Sequence, residues 1–283
     1  MSPLKLCPVV GIVTLPESPV APSTVSEIIG FRYALDTPSP QSGNTFSAWS
    51  DGGAKAHTIT VPATDSTLTG TFTAPPVGTP VAAYNFDAGS GTTLADVTGK
   101  GHTGTLTGPT WSTAGKTGAA LSFDGVNDSV RINDANDIDL TTGMTLEAWV
   151  RPTVLGNSWR TVLLKEQTGH MTYALYASTD NGRPTGQAYV GGERNARATA
   201  ALPVNTWTHL ATTYDGANLR LYVNGTQAAT TALSGAMAVS TGPLKVGGNA
   251  LWSEWFAGLI DDVRVYDRAL SATEIQGDMT RAP

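Results

Sequence analysis

The stretch WTHLATTYDGANLRLYVNG, residues 207–225, decides the fold. Two runs of leucine, β-branched and aromatic residues flank Asp215-Gly216, a dipeptide that accepts the positive φ of a tight hairpin turn. Asn224-Gly225 closes the second run in the same way. Within 218–223, Leu219, Leu221 and Val223 point to one side and Arg220 and Tyr222 to the other, because successive strand side chains alternate. The stretch is an antiparallel hairpin with one buried face.

The pattern extends outward. Runs at 81–86, 119–123, 128–132, 144–150, 161–165, 173–178, 185–190, 207–214, 219–223, 244–246 and 259–266 alternate or are apolar throughout, with further turns at Asp124-Gly125 and Asn181-Gly182. The one helical signal is Ser271-Ala272-Thr273-Glu274, a capping box after the last strand. About eleven antiparallel strands, with no helices to cover a parallel sheet, predict two sheets packed face to face. The fold class is all-β: a two-sheet jelly-roll sandwich over 81–276, followed by a tail at 277–283.

Upstream, three prolines between Ala74 and Pro80 cannot serve a central strand, so 76–80 is expected to be a stiff linker. Residues 1–75 carry short runs near 9–15, 28–35, 45–49, 56–61 and 66–73, which predict a small β-sandwich, expected to be cut short at its start. The opening MSPLKLCPVVGIVTL is broken by Pro3, Pro8 and Gly11 and has no small-residue cleavage site; it reads as a strand behind a supplied start.

Composition narrows the function. Charged residues are only 14%, and the net charge of −6 argues against nucleic acid, which demands a basic face. Cys7 is the only cysteine, so no intrachain disulfide forms, and no run reaches the length of a membrane-spanning helix. His57, His102, His170 and His209 share no zinc-ligand spacing, and His209 is expected at the edge of the core. No G-x-S-x-G elbow is present.

Two kinds of chemistry remain. Sugar binding asks for flat aromatic faces beside a few polar groups. Alternation gives Tyr176, Gln187 and Tyr189 to polar-leaning strand faces, expected to line a concave sheet. The rim adds Arg194, with Asn195 and Arg197, and the loop 251–255, where Trp252 and Trp255 flank a glutamate. Trp159 is a second platform candidate, while Trp49, Trp149 and Trp207 are expected in the core. Hydrolysis or lyase chemistry would draw on Glu166, Glu193 and Glu254, scattered on or near loops; Glu147 stands alone on its strand. Acidic turns at Asp87, Asp124, Asp261 and Asp262 suit calcium, unless these residues only cap turns.

The blocks 84–108, 115–132, 144–152 (MTLEAWVRP), 207–225 and 256–275 (FAGLIDDVRVYDRALSATEI) resemble, in order, the laminin-G-like jelly rolls of the concanavalin A-like lectin and glucanase superfamily. That resemblance implies the fold and a lectin-like, adhesive or glycosidase-appended role. The carboxylate triplet E-x-D-x-x-E of its laminarinase-type enzymes is missing here. It also implies a structural calcium between first and last strands, held by Asp87, Asp124 and Asp262 with Asp261 as an alternate. The stretch FSAWSDGGAKAHTITVPATDSTLTGTF (46–72) is similar to a spacer module of large secreted bacterial proteins.

The expectation is therefore a non-catalytic carbohydrate-binding module of a larger secreted, extracellular bacterial protein. It would be calcium-stabilised and monomeric, with a glycan as partner and neither nucleic acid nor membrane. The alternatives are a glycosidase or polysaccharide lyase, and an adhesion module that binds protein.

Overall fold

The computed structural model describes residues 10–17, 21–28, 32–35, 45–60, 62, 66–73 and 78–283. Cys7, residues 74 and 75, and residues 76 and 77 of the expected linker lie outside them. The chain divides into two compact units, Met1–Val77 and Gly78–Pro283.

In the first unit the strands are β1 (Val10–Glu17), β2 (Ala21–Ile28), β3 (Arg32–Leu35), β4 (Thr45–Trp49), β5 (His57–Thr60), β6 (Ser66–Thr67) and β7 (Gly70–Thr73). They form a three-stranded sheet β2-β1-β6 and the ladders β3-β5 and β4-β7. Trp49 is buried and donates from its indole to the Lys55 carbonyl at 3.0 Å. Asp51 closes the following turn on Gly53 N and holds His57 Nε2 at 2.9 Å.

The second unit opens with β8 (Ala82–Tyr84), β9 (Thr93–Leu94), β10 (Gly104–Thr107), β11 (Thr110–Ser112), β12 (Ala120–Asp124) and β13 (Ser129–Ile132). It continues with β14 (Met144–Pro152), β15 (Arg160–Gln167), β16 (His170–Ser178), β17 (Thr185–Tyr189), β18 (Glu193–Arg197), β19 (Thr208–Tyr214), β20 (Asn218–Val223) and β21 (Thr226–Ala232). Last come β22 (Leu244–Val246), the short hairpin β23 (Gly248–Asn249) and β24 (Glu254–Trp255), β25 (Ala257–Tyr266) and the helix α1 (Ala272–Asp278). The hairpin that opened the sequence reading is β19–β20, with Thr213 opposite Arg220.

Two long sheets result. The first runs β18-β17-β16-β15-β22-β13-β10-β9; the second runs β11-β12-β25-β14-β19-β20-β21, with β8 added alongside β25. Their inner faces bury one continuous apolar core that includes Tyr173, Leu175, Leu163, Val130 and Val246 from the first sheet. Leu146, Leu210, Leu221, Ile260 and Val265 come from the second. At about 25 cal/mol per Å2 of apolar surface removed from water, this burial drives the fold. The sheets approach so closely that a Cβ on Gly186 would lie 2.0 Å from Thr212 Oγ1.

The outer face of the second sheet is covered as well. Helix α1, started by the reciprocal Ser271–Glu274 capping box, lays Ile275 against Tyr222, Tyr266 and Leu270. Tyr266 donates to Asp278 Oδ2 at 2.6 Å. Glu147 and His209 are fully buried on this sheet. Burial, with the charge of Asp278, holds the Glu147 carboxyl well above the usual range. Trp149 is buried and meets His209 at 5.2 Å, whereas Trp207, expected in the core, is only partly buried.

Candidate functional site

A groove of about 340 Å3 opens on the outer face of the first sheet, lined among others by Trp159, Tyr176, Gln187, Glu193, Trp252 and Glu254. Register explains the floor. Tyr176 pairs with Thr185, Ala174 with Gln187, and Gln187 in turn with Asn195, so these side chains share the face turned away from the core. Beneath them Leu164, Met171, Ala174 and Tyr176 form a separate buried apolar cluster with Trp159 packed on it. The Trp159 and Tyr176 rings meet edge to face, 5.0 Å apart at 80°.

The hairpin β23–β24 builds the wall. Gly247, at φ 79, turns the chain out of β22, and its N–H donates to the Val162 carbonyl. A Cβ there would strike the Phe123 ring at 2.0 Å, so only glycine fits. Asn249 is fully buried; its amide nitrogen donates to Thr161 Oγ1 and to Glu254 Oε2, both at 2.9 Å, and its oxygen accepts from Trp252 N at 3.0 Å. One side chain thus fixes both ends of the loop and presents Trp252, 39% exposed, to solvent.

Glu254 Oε2 also accepts from the Tyr176 hydroxyl at 3.1 Å and from Thr161 Oγ1 at 3.5 Å. All these bonds go to Oε2. Burial raises the Glu254 carboxyl, the hydrogen bonds oppose that shift, and Glu193 adds to it. Burial and the Glu254 charge push the Tyr176 phenol well up. Glu193 pairs with His170 at 3.5 Å, and the His170 ring meets Tyr189 at a tilt of 51°, 5.1 Å apart.

The groove therefore joins Tyr176, Gln187, Trp252, Glu193, Glu254 and the second platform candidate Trp159 from the sequence expectations, and adds His170. It does not include Arg194, Trp255 or Glu166. Arg194 pairs with Ala188, a core residue, so it faces away from Gln187 and donates to its neighbour's carbonyl, Glu193 O. Arg197 is the arginine on the groove side, donating to Thr185 Oγ1 and pairing with Asp180 at 3.6 Å. Trp255 packs over Gly248, where a Cβ would lie 2.3 Å from its ring. Tyr189 backs the groove through His170. Glu166 lines a neighbouring cavity.

The acidic residues separate. Asp124 closes its own turn, accepting from Val126 N at 2.8 Å, and stands opposite Ala257 rather than beside Asp261. Asp261 Oδ2 accepts from Lys116 N and Thr117 N, and Asp87 Oδ1 from Ala119 N, so both bind the same loop. A bulge of β25 against β14 makes room for two consecutive aspartates, with Asp262 at φ 48. Burial, with the Asp261 charge, pushes Asp262 up to about 7; burial pushes Asp261 to about 6. Among the described residues no three His, Cys, Asp or Glu side chains converge as a metal group. Asp262 Oδ1 is nevertheless buried without a hydrogen-bond donor, which suits a hard cation completed by backbone oxygens. Asp262 thus offers an unsatisfied buried oxygen, Asp87 lies within its electrostatic reach, and Asp124 is engaged in its own turn.

Comparison with known proteins bears on this geometry. Residues 124–276 match the family described as the concanavalin A-like lectin/glucanases superfamily. Mouse pappalysin-1 is 28% identical over 181 residues, which is 56% of this chain and 11% of that protein, so the chain spans about a tenth of its relative. Among solved structures, domain 4 of AbnA, a GH43 extracellular arabinanase from Geobacillus stearothermophilus in complex with arabinotriose, superposes with a TM-score of 0.61 at 24% identity. That match covers 71% of this chain and 98% of that one. The binding domain of paraclostridial mosquitocidal protein 1 follows at 0.58 and 15%, covering 70% and 51%. At these identities the structures speak for the fold alone. The two-sheet core and a family match over more than half of its length together show that the chain belongs to the concanavalin A-like lectin/glucanase superfamily.

Proposed function

We propose that the unit Gly78–Pro283 binds carbohydrate without cleaving it, outside the cell. One observation carries this reading: an exposed indole, Trp252, stands beside a carboxylate fixed through one oxygen, Glu254, over a floor of Tyr176 and Gln187. An aromatic face receives the C–H side of a sugar ring, while the second carboxylate oxygen and the Gln187 amide receive its hydroxyls. So open a groove suits micromolar to millimolar affinity, about −4 to −8 kcal/mol. The arabinotriose in the AbnA domain 4 structure makes arabinan the first probe. Affinity electrophoresis over plant, algal and microbial polysaccharides tests the reading; no retardation in any gel would sink it.

Calcium belongs to the same proposal. Asp262 and Asp87 would hold the ion, tying the β25 bulge to the loop at Lys116–Ala119; its chemistry there is structural. The unit is proposed to act as a single copy within a multi-module secreted bacterial chain, with Met1–Val77 as a spacer.

A second reading rests on Glu193 and Glu254 lining one groove. A carboxyl raised by burial, Glu254, with a second carboxyl in the same groove is the kind of pair a glycosidase uses. Release of reducing ends or unsaturated products that stops in Glu254→Gln would replace binding by catalysis.

A further inference from the structure

The groove at Trp252 has a neighbour. A second cavity of about 610 Å3 adjoins it, and the two share a dividing wall. In the β15–β16 turn Thr168 faces the second cavity and Gly169 the first; at the hairpin tip Leu251 faces the second and Trp252 the first. Val239 and Ser240 also line the second cavity.

Two observations mark this cavity as part of a site. Val239, Leu251 and Trp252, at 52%, 38% and 39% exposed, are three of the seven large apolar side chains left exposed among the described residues. Grouping of exposed apolar side chains along one depression marks a contact surface, where scattered ones would mean nothing. In addition, Gln167 in the second cavity has its side-chain oxygen buried without a donor, an acceptor that a hydroxyl would satisfy. Charge narrows the occupant. Neither cavity is lined by Lys or Arg. Asp139 in the second is paired with Lys165 at 3.6 Å and Glu193 in the first with His170 at 3.5 Å. Among the described residues Glu166 and Glu254 have no cation within ion-pair distance, which leaves the lining net negative. Such a field repels carboxylated or sulfated sugars.

We propose that the two cavities form one continuous site for a linear, uncharged polysaccharide, with one unit on Trp252 and the next ones against Leu251, Val239 and Gln167. This rests on the sugar-binding reading above and adds chain length and charge to it.

Calorimetric titration of the full chain tests it, with linear oligosaccharides of two to six units from arabinan, xylan and β-1,3-glucan and a galacturonic acid hexamer as the charged arm. Affinity is expected to rise about tenfold, or ~1.4 kcal/mol, between trimer and hexamer of the bound series. Val239→Asp and Gln167→Ala remove that rise, whereas Trp252→Ala weakens every length alike, and the uronic acid hexamer stays unbound. Affinity flat beyond the dimer, a rise untouched by both substitutions, or equal binding of the charged hexamer overturns the proposal. Binding by no member of the panel removes the sugar-binding reading itself, and this inference with it.

Discussion

The Tyr176 hydroxyl donates to Glu254 Oε2 at 3.1 Å, joining residues 78 positions apart. The bond ties the floor of the groove to its wall, so a change beneath the surface reaches the ligand. Tyr176→Phe keeps the ring against Trp159 and removes one donor to a carboxylate, a loss of about 1.5–3 kcal/mol for a charged acceptor. The expected outcome is a lower urea midpoint and a several-fold weaker affinity for arabinotriose. Calorimetry showing unchanged affinity would mean that Glu254 needs no positioning by Tyr176.

Trp252→Ala removes the exposed indole and leaves the Asn249 anchors in place, because the anchored atom is the backbone N–H. Loss of a central aromatic costs about 2 kcal/mol of binding, or roughly thirtyfold. The melting temperature is expected to hold within a degree or two, separating a binding defect from a folding one. Full retention of binding would move the sugar site elsewhere.

The aspartate pair sets an alkaline cost. Asp261 and Asp262 titrate near 6 and 7 in the folded unit, above their ordinary range, so the folded state holds protons more tightly than the unfolded one. Stability therefore falls as pH rises from about 4 to about 7 when no cation is present. Calcium, which requires the ionised form, is expected to raise the melting temperature at pH 8 and to do little at pH 4.5. Asp262→Asn, tolerated at φ 48, flattens the pH dependence and abolishes the calcium gain. Equal melting curves in calcium and in chelator at pH 8 would take the ion out of the proposal.

His209 acts in the opposite sense. Burial, helped by the Arg264 charge, holds its imidazole neutral down to about 3. The unfolded chain binds a proton near 6.5, so stability is lost as pH falls below that value, by about 2 to 3 kcal/mol at pH 4.5. His209→Phe retains the packing on Trp149 and is expected to remove this acid sensitivity, read as urea midpoints between pH 4 and 8.

Strand alternation made the groove floor legible: Tyr176 and Gln187 needed only the period of two to be placed on one face. The arginine was misplaced because β18 carries no apolar alternation, and a Gly191-Gly192 turn sets Glu193 opposite Tyr189, which sends Arg194 toward the core side and Arg197 to the groove. The role of Glu254 as an anchored carboxylate was hard to read locally, since of its partners only Asn249 is near in the chain, while Thr161 and Tyr176 lie far away. Asp124 shares the turn chemistry of the other acidic residues, and only the β12–β25 register separates it from them.

Strand β8 pairs antiparallel with β25, and Val81 N donates to the Val265 carbonyl at 2.8 Å. The chain thus comes into the second unit and finishes its last strand at one place. Tension between the two attachment points would load that ladder one rung at a time, as in a zipper, instead of shearing all rungs at once. Pulled apart at Val81 and Tyr266, the unit is expected to open at low force, because each rung of that ladder breaks alone.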